Sequence, residues 1–210
     1  MIDRQGLAVL ATRNPGKLRE LQPLFERAGI QVVTLDALGI AETADEEALE
    51  CFESFEENAL AKARYFHHLT GRPAFADDSG LAVRALGGAP GVRSKRFSGR
   101  ADLHGPALDA ANCERLLQTL PPDVDAAASF LCAAALVDGA RELVAVGEVA
   151  GEIIRQPRGG GGFGYDPYVH ITELGSTFAE AEIDVKERVS HRGRAFRALL
   201  ASLADASGPQ

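Results

Sequence analysis

The sequence predicts an α/β fold, a mixed twisted sheet with flanking helices, and three observations carry that prediction. In the first part of the chain, short apolar runs at 7–11, 30–35 and 73–76 alternate with segments of helical period. Further on, two long strand-like segments, 126–137 and 142–154, meet at Asp138-Gly139, a hairpin signal that adds antiparallel strands to a parallel set. Finally, 210 residues with 46% hydrophobic and 25% charged side chains suffice for a sizeable core in one domain.

Taken in order, residues 7–11 form a buried first strand that runs into Thr12-Arg13-Asn14-Pro15-Gly16-Lys17, whose Asn-Pro-Gly centre is turn chemistry. A helix follows, with Leu18, Leu21, Leu24, Phe25 and Ala28 on one face and Gly29 as its stop. Pro23 inside this helix predicts a kink or an early break. A second strand spans 30–35, and the acidic residues 41–50 read as a loop or an exposed helical turn. Ser54-Phe55-Glu56-Glu57 has capping-box form and opens a helix through Ala59, Ala63 and Phe66 that ends near Gly71. The run 73–76 then delivers Asp77, Asp78, Ser79 and Gly80 at its carboxyl end, where ligands collect in open α/β sheets.

Residues 86–91 are irregular, and 93–100 form a basic loop. A helix over 107–120 is closed by Pro121-Pro122, ahead of the hairpin. Next come a glycine-rich stretch at 159–166, a short strand at 168–171, and Thr177-Phe178-Ala179-Glu180 as the cap of a helical turn. Ser190 caps a last helix that runs to about residue 206, before a frayed tail at 207–210.

Acidic residues outnumber basic ones, giving a formal charge of −8 and a pI near 5.2. This balance argues against affinity for nucleic acid polymers or anionic membranes, and leaves room for a local basic pocket. Cys51, Cys113 and Cys132 are odd in number, widely spaced and without a CxxC pair. They read as small buried hydrophobes in a reducing compartment, and not as a disulfide frame or a zinc site. No run approaches transmembrane length, and 7–11 is too brief for a signal-peptide core, so a cytoplasmic location is expected.

Chemistry concentrates in a few places. Adjacent Asp77 and Asp78 repel each other and are costly to desolvate, so a chain needing only a turn would use Asn or Gly; a divalent cation would relieve the repulsion. A solvated Asp-Ser-Gly turn is the competing reading. The 12–17 loop presents backbone N–H groups at a helix start, with Lys17 as a point charge for phosphate. It is no Walker A loop, since Ala11 and Leu18 stand where glycine and Ser or Thr are needed, and an ordinary strand-to-helix turn is the alternative. Glu50, Glu53, Glu56 and Glu57 are solvated surface or dipole partners, unless one joins Asp77 and Asp78 around magnesium. The 159–166 run displays Phe163 and Tyr165, either as a clasp for a nucleobase or as a loop whose aromatic caps the core. Lys186, Ser190, His191 and Arg192 gather donors suited to an anion or a carbonyl-bearing base, or simply a solvated helix start; His67 and His68 lack ligand spacing.

Six segments together resemble the inosine triphosphate pyrophosphatase family, the XTP/dITP diphosphatases. They are Leu10-Ala11-Thr12-Arg13-Asn14-Pro15-Gly16-Lys17, the run from Ser54-Phe55-Glu56-Glu57-Asn58 to Lys62-Ala63, Ala76-Asp77-Asp78-Ser79-Gly80-Leu81, Leu86-Gly87-Gly88-Ala89-Pro90-Gly91, Gly161-Gly162-Phe163-Gly164-Tyr165-Asp166-Pro167 and Ser190-His191-Arg192-Gly193. They stand in family order and span nearly the whole chain. The resemblance implies two lobes around a central nucleotide-binding cleft within one domain over 1–206, a magnesium cofactor and a homodimer. It also implies cleavage of ITP, dITP or XTP between the α and β phosphates, giving the monophosphate and pyrophosphate.

Carried onto this sequence, the resemblance assigns Thr12, Asn14 and Lys17 to the triphosphate, within a binding loop that includes Arg13, Pro15 and Gly16. It makes Asp78 the general base and metal site, with Lys17 offsetting leaving-group charge, Asp77 the supporting carboxylate, Ser79 a substrate contact and Glu50 a metal-linked acid. Phe163 stacks on the base with Gly164, Tyr165 and Asp166 nearby, and Lys186, His191 and Arg192 contact the nucleotide. The sequence departs from the family at Cys51 and Phe52, where a threonine and a glycine are usual, at Arg93, where an aromatic is common, and at Ser129, where arginine is frequent. Two rival functions remain, a nucleotide pyrophosphatase with another base preference and a non-catalytic nucleotide sensor.

Overall fold

The computed structural model describes residues 7–43, 46, 48–139 and 141–205. The tail at 207–210 and residues 44, 45 and 47 of the acidic stretch lie outside these described residues. Seven strands form one sheet: β1 (Ala8–Leu10), β2 (Val32–Thr34), β3 (Ala74–Val83), β4 (Ala127–Asp138), β5 (Arg141–Ile153), β6 (Val169–Ile171) and β7 (Ser176–Thr177), in the order β2-β1-β3-β4-β5-β6-β7. Strand β1 pairs in parallel with β2 and β3, whereas β6 pairs antiparallel with β5 and β7, so the sheet is mixed as expected. The helices are α1 (Pro15–Arg27), α2 (Phe55–Thr70), α3 (Gly105–Thr119), α4 (Ile183–Val189) and α5 (His191–Asp205). Among the described residues no helix is long and apolar enough to cross a membrane. The chain divides into two compact units, the first Met1–Asp78, Cys132–Gly147 and His191–Gln210, the second Ser79–Leu131 and Glu148–Ser190.

In the first unit the sheet carries two cores. On one face, Leu21, Leu24 and Phe25 of α1 pack with Leu10, Phe75 and the α5 residues Ala195, Phe196 and Leu199. Phe25 meets Phe75 and Phe196 edge-on, with centroids 4.8 and 5.6 Å away. This packing explains why Pro23 does not break α1, which runs through it to Arg27. A helix-interior proline costs about 3 kcal/mol. Each large apolar side chain buried on either side of it returns roughly 1.5–3 kcal/mol. On the other face, Ala59, Ala63 and Phe66 of α2 cover Val9, Ala11, Ala74 and Ala76. Ser54 caps the helix as expected, its Oγ accepting from Glu57 N at 3.2 Å and donating to Glu57 Oε2 at 2.8 Å, and the helix stops at Gly71. Helix α5 seats directly on β5 because residue 147 is glycine: a Cβ there would lie 2.2 Å from His191 O and 2.5 Å from Ala195 N.

The core of the second unit gathers Leu81, Val83, Cys113, Leu116, Phe130, Val149, Val169 and Phe178. Several expectations change. Strand β3 does not end at Ala76 but continues through the acids to Val83. Part of the basic loop is a 3-10 turn, Gly91–Arg96. Thr177 to Glu180 starts no helix: the Glu180 carboxylate accepts from Thr177 N at 2.8 Å and Thr177 Oγ1 at 3.0 Å, closing a turn after β7. Helix α4, unforeseen, begins only at Ile183. Cys113 and Cys132 are buried, but Cys51 is exposed.

Candidate active site

Because successive side chains of a strand point to opposite faces, Asp77 and Asp78 do not share one environment. Asp77 lies on the face of Phe75, toward α1 and α5. Its Oδ2 receives Lys17 Nζ at 2.9 Å and Arg192 Nε at 3.1 Å, with Cys132 Sγ at 3.8 Å. Arg192, among the most deeply buried side chains, also reaches Glu20 Oε2 of α1 through Nη1 at 2.5 Å. Burial alone would raise Asp77, but Lys17, then Arg192 and Lys62, outweigh it and hold the acid below the usual carboxylate range. The repulsion expected of two neighbouring acids is thus relieved by the pleat and by protein cations.

Asp78 faces α2 with Ala74 and Ala76. Its Oδ2 accepts from Asn58 Nδ2 at 2.9 Å, and Asn58 is completely buried. The same amide holds the segment after Glu50, accepting from Phe52 N at 2.9 Å and donating to Phe52 O at 3.2 Å. One helical turn on, Lys62 Nζ meets Glu50 Oε1 at 2.5 Å and the Asp77 carbonyl oxygen at 3.0 Å. Asp78 is raised, first by burial and further by Glu50, against the opposing pull of Lys62 and Lys17. The residues alone assign no role to Asn58, Lys62 or Glu20. The available signal was polar residues interrupting apolar helix faces, Asn58 and Lys62 four apart beside Ala59, Ala63 and Phe66.

The 12–17 loop differs from expectation in what it offers. Asn14 caps α1 with its own side chain: Oδ1 accepts from Gly16 N at 2.8 Å and Lys17 N at 3.2 Å, and Pro15 opens the helix. Those two backbone donors are therefore taken. The Thr12 hydroxyl, which accepts from Asn14 N at 3.2 Å, the Asn14 side-chain amide and Lys17 carry what remains of the anion-binding capacity. Arg13 is a brace, with Nη1 on Asp36 Oδ1 at 3.0 Å and Ile40 O at 2.7 Å, and Nη2 on Glu46 Oε1 at 2.7 Å.

In the second unit the glycine-rich loop is pinned. Asp166 Oδ2 accepts from Phe163 N at 2.8 Å and from Lys186 Nζ at 2.5 Å, both charged side chains being buried. Lys186 Nζ stands 4.9 Å from the Phe163 ring centroid and 5.3 Å from that of Phe178. Gly164 N donates to Asp109 Oδ2 at 2.8 Å. Residue 162 must be glycine, since its φ is +72° and a Cβ would lie 2.2 Å from Asp166 Oδ2. Tyr165 is a core residue whose hydroxyl donates to Ser94 O at 2.9 Å, so of the two aromatics only half-buried Phe163 is placed to offer a ring face. Lys186 and the His191–Arg192 pair, neighbours in sequence, belong to different units: His191 and Arg192 are buried at the start of α5. Ser79 follows Asp78 on β3 and is half-buried.

Among the described residues no three His, Cys, Asp or Glu side chains form a preformed metal site. The donor set present is Glu50 and Asp78, whose charges act on each other, with Lys62 in contact with Glu50 and its charge acting on Asp78. Two hard carboxylates fit an ion such as magnesium, which takes one or two of them and completes its shell with water and phosphate. Asp77 fits less well, since its Oδ2 is neutralised by Lys17 and Arg192. Its Oδ1 is buried without a hydrogen-bond partner among the described residues and can receive a water.

A model of the Ham1 family matches residues 8–202. The dITP/XTP pyrophosphatase of Burkholderia pseudomallei is 47% identical over 200 residues, which are 94% of this chain and 93% of that protein. Its namesake from Yersinia pestis is 46% identical over 203 residues, 94% and 98% of the two chains. Among solved structures, a HAM1 protein from Coxiella burnetii superposes with a TM-score of 0.81 at 36% identity, covering 96% of this chain and all (100%) of that one. A nucleoside-triphosphatase / dITP/XTP pyrophosphatase from Mycobacterium abscessus gives 0.70 at 43% identity, covering 94% and 99%. The match extends over nearly every element described above, and the chain belongs to the Ham1 family.

Proposed function

We propose that this chain is a nucleoside triphosphate pyrophosphohydrolase for deaminated purine nucleotides, converting dITP, ITP or XTP and water to the nucleoside monophosphate and pyrophosphate. The observation that carries the reading is the placement of two adjacent acids in different surroundings, Asp77 Oδ2 held by Lys17 and Arg192 at 2.9 and 3.1 Å and Asp78 Oδ2 by the buried Asn58 amide at 2.9 Å, with Asp77 lowered and Asp78 raised in keeping. Two carboxyls whose environments separate them in this way are suited to different tasks. Asp77 stays ionised and anchors Lys17 and Arg192, while Asp78 is the better proton acceptor for an attacking water. The names of the relatives, dITP/XTP pyrophosphatases, support the same chemistry.

In this reading Thr12, Asn14 and Lys17 bind the triphosphate, and Ser79 is a further substrate contact. Glu50 and Asp78 would hold magnesium, which when bound supplies positive charge to the phosphate oxygens and the leaving pyrophosphate. Lys17, fixed on Asp77, places a second positive charge for that leaving group. Phe163 stacks on the base, with Lys186 and Asp166 setting the loop, and His191 supplies a donor to it. Arg192 acts through Asp77 and Glu20. Donors facing the base favour the 6-keto oxygen of hypoxanthine and xanthine and leave the adenine amino group donor against donor. A mismatch of that kind in a closed site discriminates by up to about 10⁴-fold. The cytoplasmic homodimer belongs to this proposal on the family resemblance alone.

The test is a panel of dITP, XTP, GTP, ATP and TTP with magnesium, assaying pyrophosphate and orthophosphate separately. Pyrophosphate from dITP and XTP only is expected. Pyrophosphate chiefly from another nucleotide overturns the base preference, orthophosphate indicates a phosphatase, and no product from any nucleotide indicates a sensor.

A further inference from the structure

Lys62 already holds Glu50, one of the two acids that would offer oxygens to a divalent cation, and we infer that Lys62 is a tethered counter-ion that competes with that cation and yields to it. The inference rests on the proposed role of Glu50 and Asp78 as holders of the metal. From the second turn of α2, Lys62 Nζ contacts Glu50 Oε1 at 2.5 Å and the Asp77 carbonyl oxygen at 3.0 Å, with the Asp77 and Asp78 charges also acting on it. An ammonium is a compact point charge with three donors, so in the nucleotide-free protein it compensates the acids as a metal ion would. It cannot do so alongside the metal. A dication drawn to Glu50 and Asp78 meets Lys62 as a like charge a few ångströms away, in surroundings where such charges are poorly screened.

The four-carbon stem supplies the way out. Lys62 can keep its bond to the Asp77 carbonyl oxygen while releasing Glu50, and its charge then becomes available to a phosphate oxygen. Removing the charge therefore has two opposite consequences. Metal binding to the nucleotide-free protein becomes tighter, because Glu50 no longer has to be taken from a competitor, while turnover falls because the released cation is missing. A residue that merely stabilised the fold would weaken both.

The experiment titrates Mn2+ into nucleotide-free wild type and Lys62→Gln, reading free Mn2+ by electron paramagnetic resonance, with turnover on dITP measured in parallel. Glutamine retains a donor for the Asp77 carbonyl. Tightening of Mn2+ binding by about tenfold or more is expected, since a like charge near the ion is removed. Equal or weaker binding in Lys62→Gln overturns the inference. Wild type that releases pyrophosphate from dITP but binds no Mn2+ overturns both the metal placement and the role of Lys62. Wild type without activity on any nucleotide overturns the proposed function, and the Mn2+ comparison still decides Lys62 by itself. Should Lys62→Gln not fold, wild type with ¹³C-methylated lysines is titrated with Mg2+: a shifted Lys62 methyl resonance supports release from Glu50, and an unmoved one overturns it.

Discussion

The Glu20–Arg192–Asp77 chain makes a prediction that separates a structural guanidinium from one that only reads a base. Arg192 has 2% of its side chain exposed and Glu20 has 6%, and their contact at 2.5 Å joins α1 to α5 beneath the Lys17 loop. Glu20→Leu removes one of two carboxylates from a buried guanidinium. Breaking a buried pair from one side costs roughly 3–5 kcal/mol, and because Asp77 still compensates Nε the expected loss is at the lower end, about 3 kcal/mol. In a chain of this size that corresponds to a melting temperature lower by roughly 6–12 °C. Arg192→Met leaves Glu20 and Asp77 without their shared cation and falls at the upper end, about 5 kcal/mol. The double variant replaces charge by apolar volume, so its loss is smaller than the sum of the singles by roughly 1–3 kcal/mol. Urea unfolding of wild type, both singles and the double at pH 7 measures the cycle. Losses that add to within about 0.5 kcal/mol refute the coupling, and with it the placement of Arg192 as a positioning residue.

Asp78→Asn should leave stability nearly intact and lower turnover on dITP by roughly 10²-fold or more, checked by pyrophosphate release. The two acids should also give stability–pH slopes of opposite sign. The lowered Asp77 contributes stability present above its ordinary value of 3.8 and lost as pH falls further, so Asp77→Asn flattens the acid limb of the unfolding curve. The raised Asp78 binds its proton before the unfolded chain does and gains stability as pH falls toward 3.8, a gain that Asp78→Asn abolishes. Gly162→Ala forces a Cβ at φ +72° against Asp166 Oδ2, so it should cost about 1–2 kcal/mol and raise KM through displacement of the Lys186–Asp166 pair. Tyr165→Phe should cost about 1–3 kcal/mol by orphaning Ser94 O, as read by thermal unfolding, with kcat and KM unchanged, whereas a substrate-contacting hydroxyl would move KM.

Which parts of this arrangement could be read from the residues follows from the range of the forces involved. Local signals were legible: the Ser54 cap, the Gly71 stop, the hairpin at Asp138-Gly139 and the turn chemistry of 12–17 each involve atoms a few residues apart. The residues alone end β3 at Ala76 because Asp, Ser and Gly are poor strand formers, and only distant partners, Lys17, Arg192 and Asn58, make the acids tolerable in a buried strand. Pro23 misled for the same reason, since tertiary packing of Phe25 against Phe75 and Phe196 overrode a local rule. Asp78 and Lys17 are singled out by motif position. Asn58, Lys62 and Glu20 are not, because a polar residue on a helix face acquires a role only when the strand beneath it is known.

Two consecutive aspartates gain different properties here because a strand, unlike a helix, sends neighbouring side chains to opposite faces. One face supplies Lys17 and Arg192, the other Asn58 and Lys62, so identical residues become a lowered and a raised acid. A one-residue slip of β3 would exchange them. The register is held by Val9 N on Pro73 O and Ala11 N on Phe75 O, both at 2.7 Å, and more firmly by side-chain size. Ala74 and Ala76 face α2 among Ala11, Ala59 and Ala63, a layer of small residues, whereas Phe75 fills the aromatic cluster on the opposite side. A slip would drive a phenylalanine into the alanine layer and leave the aromatic cluster with a void. The alternation of small and large residues at 74–76 therefore decides which of the two following aspartates meets Lys17 and Arg192 and which meets Asn58.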